Sequence, residues 1–130
     1  MDITELTKKA VETASQDSEL SKEIKDIVVS IVMLCKTGDG LERAFTFLVD
    51  KGRISFSEEK LENPDFQFEM ASGDFCDLMT GQAYGMMLMA TGKMKMTKGT
   101  WAEISKVATP LSVIPKLGKE IALKEKAQPV

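Results

Sequence analysis

Few side chains in this chain have the types and spacing that catalysis needs. Glu58-Glu59 is a paired carboxylate, but it sits beside a turn with no partner acid or nucleophile in view and reads as a solvated loop. Gly38-x-Gly40 lacks the third glycine and the strand-then-helix setting of a phosphate-binding loop, so it reads as a hairpin turn. Cys35 and Cys76 lie 41 positions apart, each in apolar surroundings with no neighbouring Cys or His. They are expected to be small buried hydrophobes in a reducing compartment rather than zinc ligands. Lys93, Lys95 and Lys98 project from one face of a short strand. A wet surface is their ordinary role, with phosphate or lipid-headgroup contact the alternative.

Histidine is absent altogether. That removes Ser-His and Cys-His nucleophile activation, imidazole metal ligation and the usual general base near neutral pH. Only carboxylate or lysine chemistry is left, so no enzyme, catalytic residue, metal or cofactor is expected. The net charge of −3 is unevenly spread: residues 1–92 carry 9 Lys and Arg against 17 Asp and Glu, and residues 93–130 carry 8 Lys against 3 Glu. A basic final third on an acidic body is too weak a footprint for nucleic acid. Transient contact with an anionic membrane surface is compatible with it.

The elements that must position these groups fit one domain over residues 1–130. No apolar run approaches the roughly 18 residues of a membrane span, and the Met1-Asp2-Ile3-Thr4-Glu5 start lacks the plan of a secretory signal, so a cytoplasmic location is expected. Residues 1–26 read as helical. Asp2-x-x-Glu5 resembles a capping box, and Ile3, Leu6, Ala10, Val11 and Ala14 recur at helical spacing over 3–15. A shorter helix comes next, carrying Leu20 and Ile24. Ile27 to Cys35 is β-branched and apolar on both faces, a strand covered from two sides. Leu41 to Val49 returns with Phe45, Phe47 and Val49 on one face, and Arg53 to Ser57 alternates as an edge strand should. After a loop at Glu62-Asn63-Pro64-Asp65, Phe66, Phe68 and Met70 share one face of a fourth strand.

Ser72-Gly73-Asp74 is expected to cap a helix carrying Phe75, Leu78 and Met79, and Gln82 to Thr91 to form a second short helix. Lys93 to Lys98 makes the fifth strand. Thr100-x-x-Glu103 reads as a second capping box, opening a helix with Trp101, Ile104, Val107 and Ala108 on its inward face. Pro110 and Pro115 should break or kink the chain beyond that helix, where Leu111, Ile114, Leu117 and Ile121 offer an apolar stripe. Residues 124–130 are expected to be a disordered tail.

Methionine is the compositional anomaly. Six of the nine are Met79, Met86, Met87, Met89, Met94 and Met96, and Met86-Met87-Leu88-Met89 leaves its helix no polar face. Such a segment must be covered on several sides or line a space. Taken alone, the residues favour a plain Met-rich core over a ligand cavity.

The order of motifs tips that balance. Asn63-Pro64-Asp65-Phe66-Gln67-Phe68-Glu69-Met70, then Asp74-Phe75-Cys76-Asp77-Leu78-Met79-Thr80-Gly81, then Gly92-Lys93-Met94-Lys95-Met96-Thr97-Lys98-Gly99, resembles the pattern of the sterol carrier protein 2 family over about residues 27–120. The C-terminal Gln128-Pro129-Val130 is no peroxisomal address, so a stand-alone prokaryotic type is the nearer likeness. The resemblance implies an α+β fold: a five-stranded, mostly antiparallel sheet covered by helices on one face, with an apolar tunnel between them. It further implies non-catalytic binding or carriage of a fatty acyl, sterol-like or other lipophilic ligand. By position, Phe75, Met79, Met87, Leu88, Met94, Met96, Trp101 and Ile104 become the candidate lipid-binding residues. The alternative is an accessory interaction protein that docks an enzyme or presents a lipophilic substrate. It would use the C-terminal apolar stripe as a docking or homodimer surface.

Overall fold

The computed structural model describes residues 2–127, with side-chain surroundings through Lys124. Helix α1 spans Ile3–Ser15, and the Asp2 carboxylate accepts from the Glu5 N–H at 2.9 Å, as the capping pattern predicts. Helix α2 spans Ser18–Glu23 under Asp17, which accepts from the Glu19 and Leu20 N–H groups. The strands are β1 (Val28–Lys36), β2 (Glu42–Asp50), β3 (Arg53–Ser57), β4 (Phe66–Ala71) and β5 (Met94–Lys98). Between β4 and β5 come α3 (Ser72–Met79) and α4 (Gly85–Ala90), and after β5 a single 3-10 turn (Trp101–Glu103) leads into α5 (Ser105–Ala127).

The strand order is β3-β2-β1-β4-β5, antiparallel throughout except for the parallel β1–β4 pair. That pair is pinned where β4 starts. Asp65 Oδ2 accepts from the Ser30 N–H at 2.9 Å, and the Asp65 N–H donates to Ser30 Oγ at 2.8 Å. The hairpin between β2 and β3 turns on Lys51 and Gly52, both at positive φ, the mirror-type turn whose twist suits a hairpin.

The core lies on the helix-covered face. Ile31, Met33, Phe45, Phe47, Phe66 and Phe68 of the sheet meet Ala10, Val11, Phe75, Leu78, Val107 and Ile114 of the helices. Phe45 and Phe75 stack with centroids 4.7 Å apart. β1 is buried on both sides as expected, since Val32 and Leu34 on the other face are also buried. Behind it, the segment after β3 folds back, and buried Thr46 donates from Oγ1 to the Glu59 carbonyl at 2.5 Å.

Both sheet edges are guarded. On β3, Ser15 Oγ donates to the Ile54 carbonyl and Ser21 Oγ to the Gly52 carbonyl, so α1 and α2 occupy part of that edge. On β5, two lysines and a bulge opposite Gln67 and Phe68 disfavour pairing with another strand.

Several expectations are corrected. Ser72-Gly73-Asp74 makes no side-chain cap, because α3 starts directly from extended Ala71 at the end of β4. Gln82 to Thr91 is not one helix: the Gln82 and Ala83 N–H groups both donate to the Asp77 carbonyl, which delays α4 to Gly85. Thr100 makes no capping bond, and Glu103 instead meets Lys106 at 3.3 Å. Pro110 and Pro115 do not end α5, although each removes one helix hydrogen bond. Both rings are buried, and α5 packs along α1, so tertiary packing holds the helix through them. The stripe Leu111, Ile114, Leu117 and Ile121 packs against the core and is not a free docking surface. Helix α5 also reaches Ala127, past the Lys124 where a tail was expected, and residues 128–130 lie outside the described residues. Cys35 is buried as expected, but Cys76 is exposed on α3.

Candidate functional site

An apolar groove opens where α4, β5 and the 3-10 turn meet. Gly81, at positive φ, ends α3. Gly92, also at positive φ, ends α4 and sends the chain into β5, with the Lys93 N–H returning to the Leu88 carbonyl at 2.8 Å. These two turns set α4 beside β5 and leave a space of about 450 Å³ between them. Met86, Met89, Ala90 and Gly92 line it from the helical side, Met94, Lys95 and Met96 from the strand, and Trp101 from the turn. Lys95 is the only charged residue of the lining, so the groove can bury an apolar ligand while offering one cation at its wall.

The expected lining residues divide into three groups. Met94, Met96 and Trp101 line the groove. Phe75, Met79 and Leu88 are buried core residues, and Ile104 is half-buried against the same core. Met87 stands outside the groove lining and is 60% exposed. Trp101, expected to face inward, is 64% exposed and forms one rim of the groove. Five lining residues, Met86, Met89, Ala90, Gly92 and Lys95, were missed. The signal of the helical three was present, since Met86, Met89 and Ala90 stand at i, i+3 and i+4 on one helical face. An all-apolar helix gives no polar side against which to choose that face. The expected apolar tunnel is not shown; the space between α4 and β5 is an open groove.

Among the described residues, no group of three or more His, Cys, Asp and Glu side chains is placed to hold a metal ion. Among them, too, no helix is long and apolar enough to cross a membrane. Buried Cys35 has its thiol pushed up to about 12, because burial disfavours the thiolate more than nearby Arg43 favours it.

One wall of the groove, β5, is an element whose sequence carried the family likeness, and the family model described as the SCP-2 sterol transfer family matches residues 8–100. The chain belongs to that family. The match starts inside α1, earlier than the likeness read from the residues, and ends before Trp101 and α5. Solved structures agree on the fold beyond that limit. A crystal structure of sterol carrier protein 2 superposes with a TM-score of 0.71 at 14% identity, covering 88% of this chain and 94% of that one. The apo form of sterol carrier protein 2 from Yarrowia lipolytica gives 0.65 at 23% identity, covering 90% and 89%. A ubiquinone synthesis protein, UbiJ-SCP2, gives 0.62 at 10% identity, covering 88% and 93%. No curated protein matches the chain. In this family member the α+β fold, the sheet and its helical cover are therefore as expected, and lipid binding is the function the family implies.

Proposed function

We propose that this protein binds a lipid in the groove between α4 and β5, without catalysing its conversion. The observation that carries the reading is the methionine-lined space of about 450 Å³, of whose lining all but Trp101 lies inside the SCP-2 match. Met94 and Met96 form its floor, Met86 and Met89 one wall, and Trp101 the rim. Thioether side chains adapt to varied apolar shapes, which suits an acyl chain or a fused-ring lipid better than a polar metabolite. Each CH₂ that the groove covers would contribute ~0.8 kcal/mol, so affinity follows the length of chain buried in it.

Native mass spectrometry of the purified full chain tests the reading, combined with titration of the delipidated protein with a fluorescent fatty acid. A co-purified lipid mass, or saturable fatty-acid binding displaced by unlabelled lipid, supports it. A chain that arrives empty and shows no saturable binding overturns it.

A second reading, an accessory protein that presents a lipophilic substrate to an enzyme, draws support from the likeness to UbiJ-SCP2, described as a ubiquinone synthesis protein. It uses the same groove. It differs in that bound lipid would stay in place in the presence of vesicles and leave only with the partner enzyme.

A further inference from the structure

Solvent access divides the methionines into two sets. Met33, Met70, Met79 and Met94 are 4% exposed or less. Met86 is 84% exposed and Met87 60%, and Met89 and Met96 are partly exposed. Among the described residues, every methionine that solvent reaches therefore stands on α4 or β5. Met86 and Met89 line the groove from the helix and Met96 from the strand, while Met87 stands outside it. Leucine matches methionine in helix propensity and apolar character, so what the thioether adds at these positions is flexibility and an oxidisable sulfur.

From this distribution we propose that Met86, Met89 and Met96 are a peroxide-modification site, whose conversion to sulfoxides closes the groove to apolar ligands. The proposal rests on the lipid-binding reading, since it states what switches that binding off. In the step, a sulfur lone pair attacks the O–O bond of hydrogen peroxide. The S–O bond forms as the O–O bond breaks, the sulfur gives up two electrons, and the peroxide departs as water. A thioether needs no deprotonation to react, so solvent access selects the sulfurs. Each sulfoxide turns a flexible apolar side chain into a polar one. The lining around it is mostly hydrocarbon and thioether, with Lys95 its only charged side chain, and Glu69 stands opposite Lys95 in the β4–β5 register. A bound acyl chain would cover the new oxygens with few donors in reach, which costs binding free energy. The fold is spared, because the core methionines lie out of the oxidant's reach. Exposed sulfoxides also remain open to methionine sulfoxide reductases, whose dithiol becomes a disulfide as the oxygen leaves as water.

The test uses the full chain carrying Cys76→Ser, since the exposed Cys76 thiol would otherwise consume peroxide. The delipidated protein is treated with hydrogen peroxide and the excess is removed. Peptide mass mapping is then paired with titration of a fluorescent saturated fatty acid. Met86, Met87, Met89 and Met96 should each gain one oxygen before Met33, Met70, Met79 or Met94 does, with the circular dichroism unchanged. Affinity should fall roughly tenfold or more, and return after treatment with methionine sulfoxide reductases A and B and dithiothreitol. Fatty acid present during oxidation should protect Met86, Met89 and Met96 but not Met87. Met87→Leu should bind, and lose binding on oxidation, as the parent does. Met86→Leu combined with Met89→Leu and Met96→Leu should show one affinity before and after peroxide, whatever that affinity is. The proposal is overturned if the parent, with all three sulfoxides mapped, binds fatty acid as the untreated protein does. It is equally overturned if the core methionines oxidise at the same rate, or if the loss of binding persists in the triple variant. If the untreated protein binds no fatty acid, the lipid-binding reading fails and takes the proposal with it; failure of the switch alone leaves that reading intact.

Discussion

Gly118 of α5 lies directly against the Met79 carbonyl of α3: a Cβ built on it would come within 2.1 Å of that oxygen. Backbone atoms cannot move aside as the end of a flexible side chain can, so this crossing admits no residue larger than glycine. It sets how closely α5 approaches the helix that carries Phe75, and hence the depth of the core beneath the groove.

Gly118→Ala should therefore destabilise the fold by about 1–3 kcal/mol or more through overpacking. Gly73→Ala, in the first turn of α3 with open space around it, should stabilise by up to about 1 kcal/mol through helix propensity. Urea denaturation of both variants checks the pair. Equal effects would mean that the α3–α5 crossing is looser than described.

Core and groove separate by mutation. Phe75→Ala removes a buried ring stacked on Phe45 and should cost about 3–5 kcal/mol. Met96→Trp enters the half-buried groove wall and should cost less than about 1.5 kcal/mol, while weakening fatty-acid binding severalfold. Met87→Trp should leave solution binding as in wild type, because Met87 stands outside the lining. Thermal melts and a fluorescent fatty-acid titration read the two properties; weakened solution binding in Met87→Trp would place the site elsewhere.

The two thiols should differ in reactivity. A thiol reagent at pH 8 is expected to modify exposed Cys76 in the native protein and Cys35 only on unfolding. The Cys35 thiol is held at about 12 in the fold, against an ordinary 9.0, so the unfolded chain releases this proton first. The native state then binds more protons between those values. Cys35 thus withdraws stability as pH rises from about 9 toward 12 and changes nothing below that window. A Cys35→Ala variant with the same alkaline decline as wild type would remove this residue as its cause.

Helix caps offer a further contrast. Asp17→Ala should cost about 1 kcal/mol, because its carboxylate accepts from two N–H groups in the first turn of α2. Thr100→Ala should cost little, because its hydroxyl makes no capping bond at the turn before α5. Denaturation midpoints of the two variants decide it; a substantial loss in Thr100→Ala would show that the predicted capping box forms in solution.

Much of this protein could be read from local pattern, because the signals are local. Ile3 to Ala14 repeat at helical spacing under a carboxylate cap, and that helix starts and ends at the predicted residues. Phe45, Phe47 and Val49 alternate, as do Phe66, Phe68 and Met70, so each set lands on the core face whichever strand lies beside it. The order of these motifs was enough to find the family. Non-local matters were decided by the tertiary structure. The parallel placement of β4 beside β1 brings Asp65 to Ser30, 35 positions away, and is a pairing that local pattern does not specify. The continuity of α5 through Pro110 and Pro115 comes from packing that offsets two missing hydrogen bonds, which propensity alone could not foresee. The site was the least legible part. A helix apolar on every side satisfies several orientations equally well, and only the turns at Gly81 and Gly92, with β5 beside it, chose Met86 and Met89 for the groove and turned Met87 to solvent.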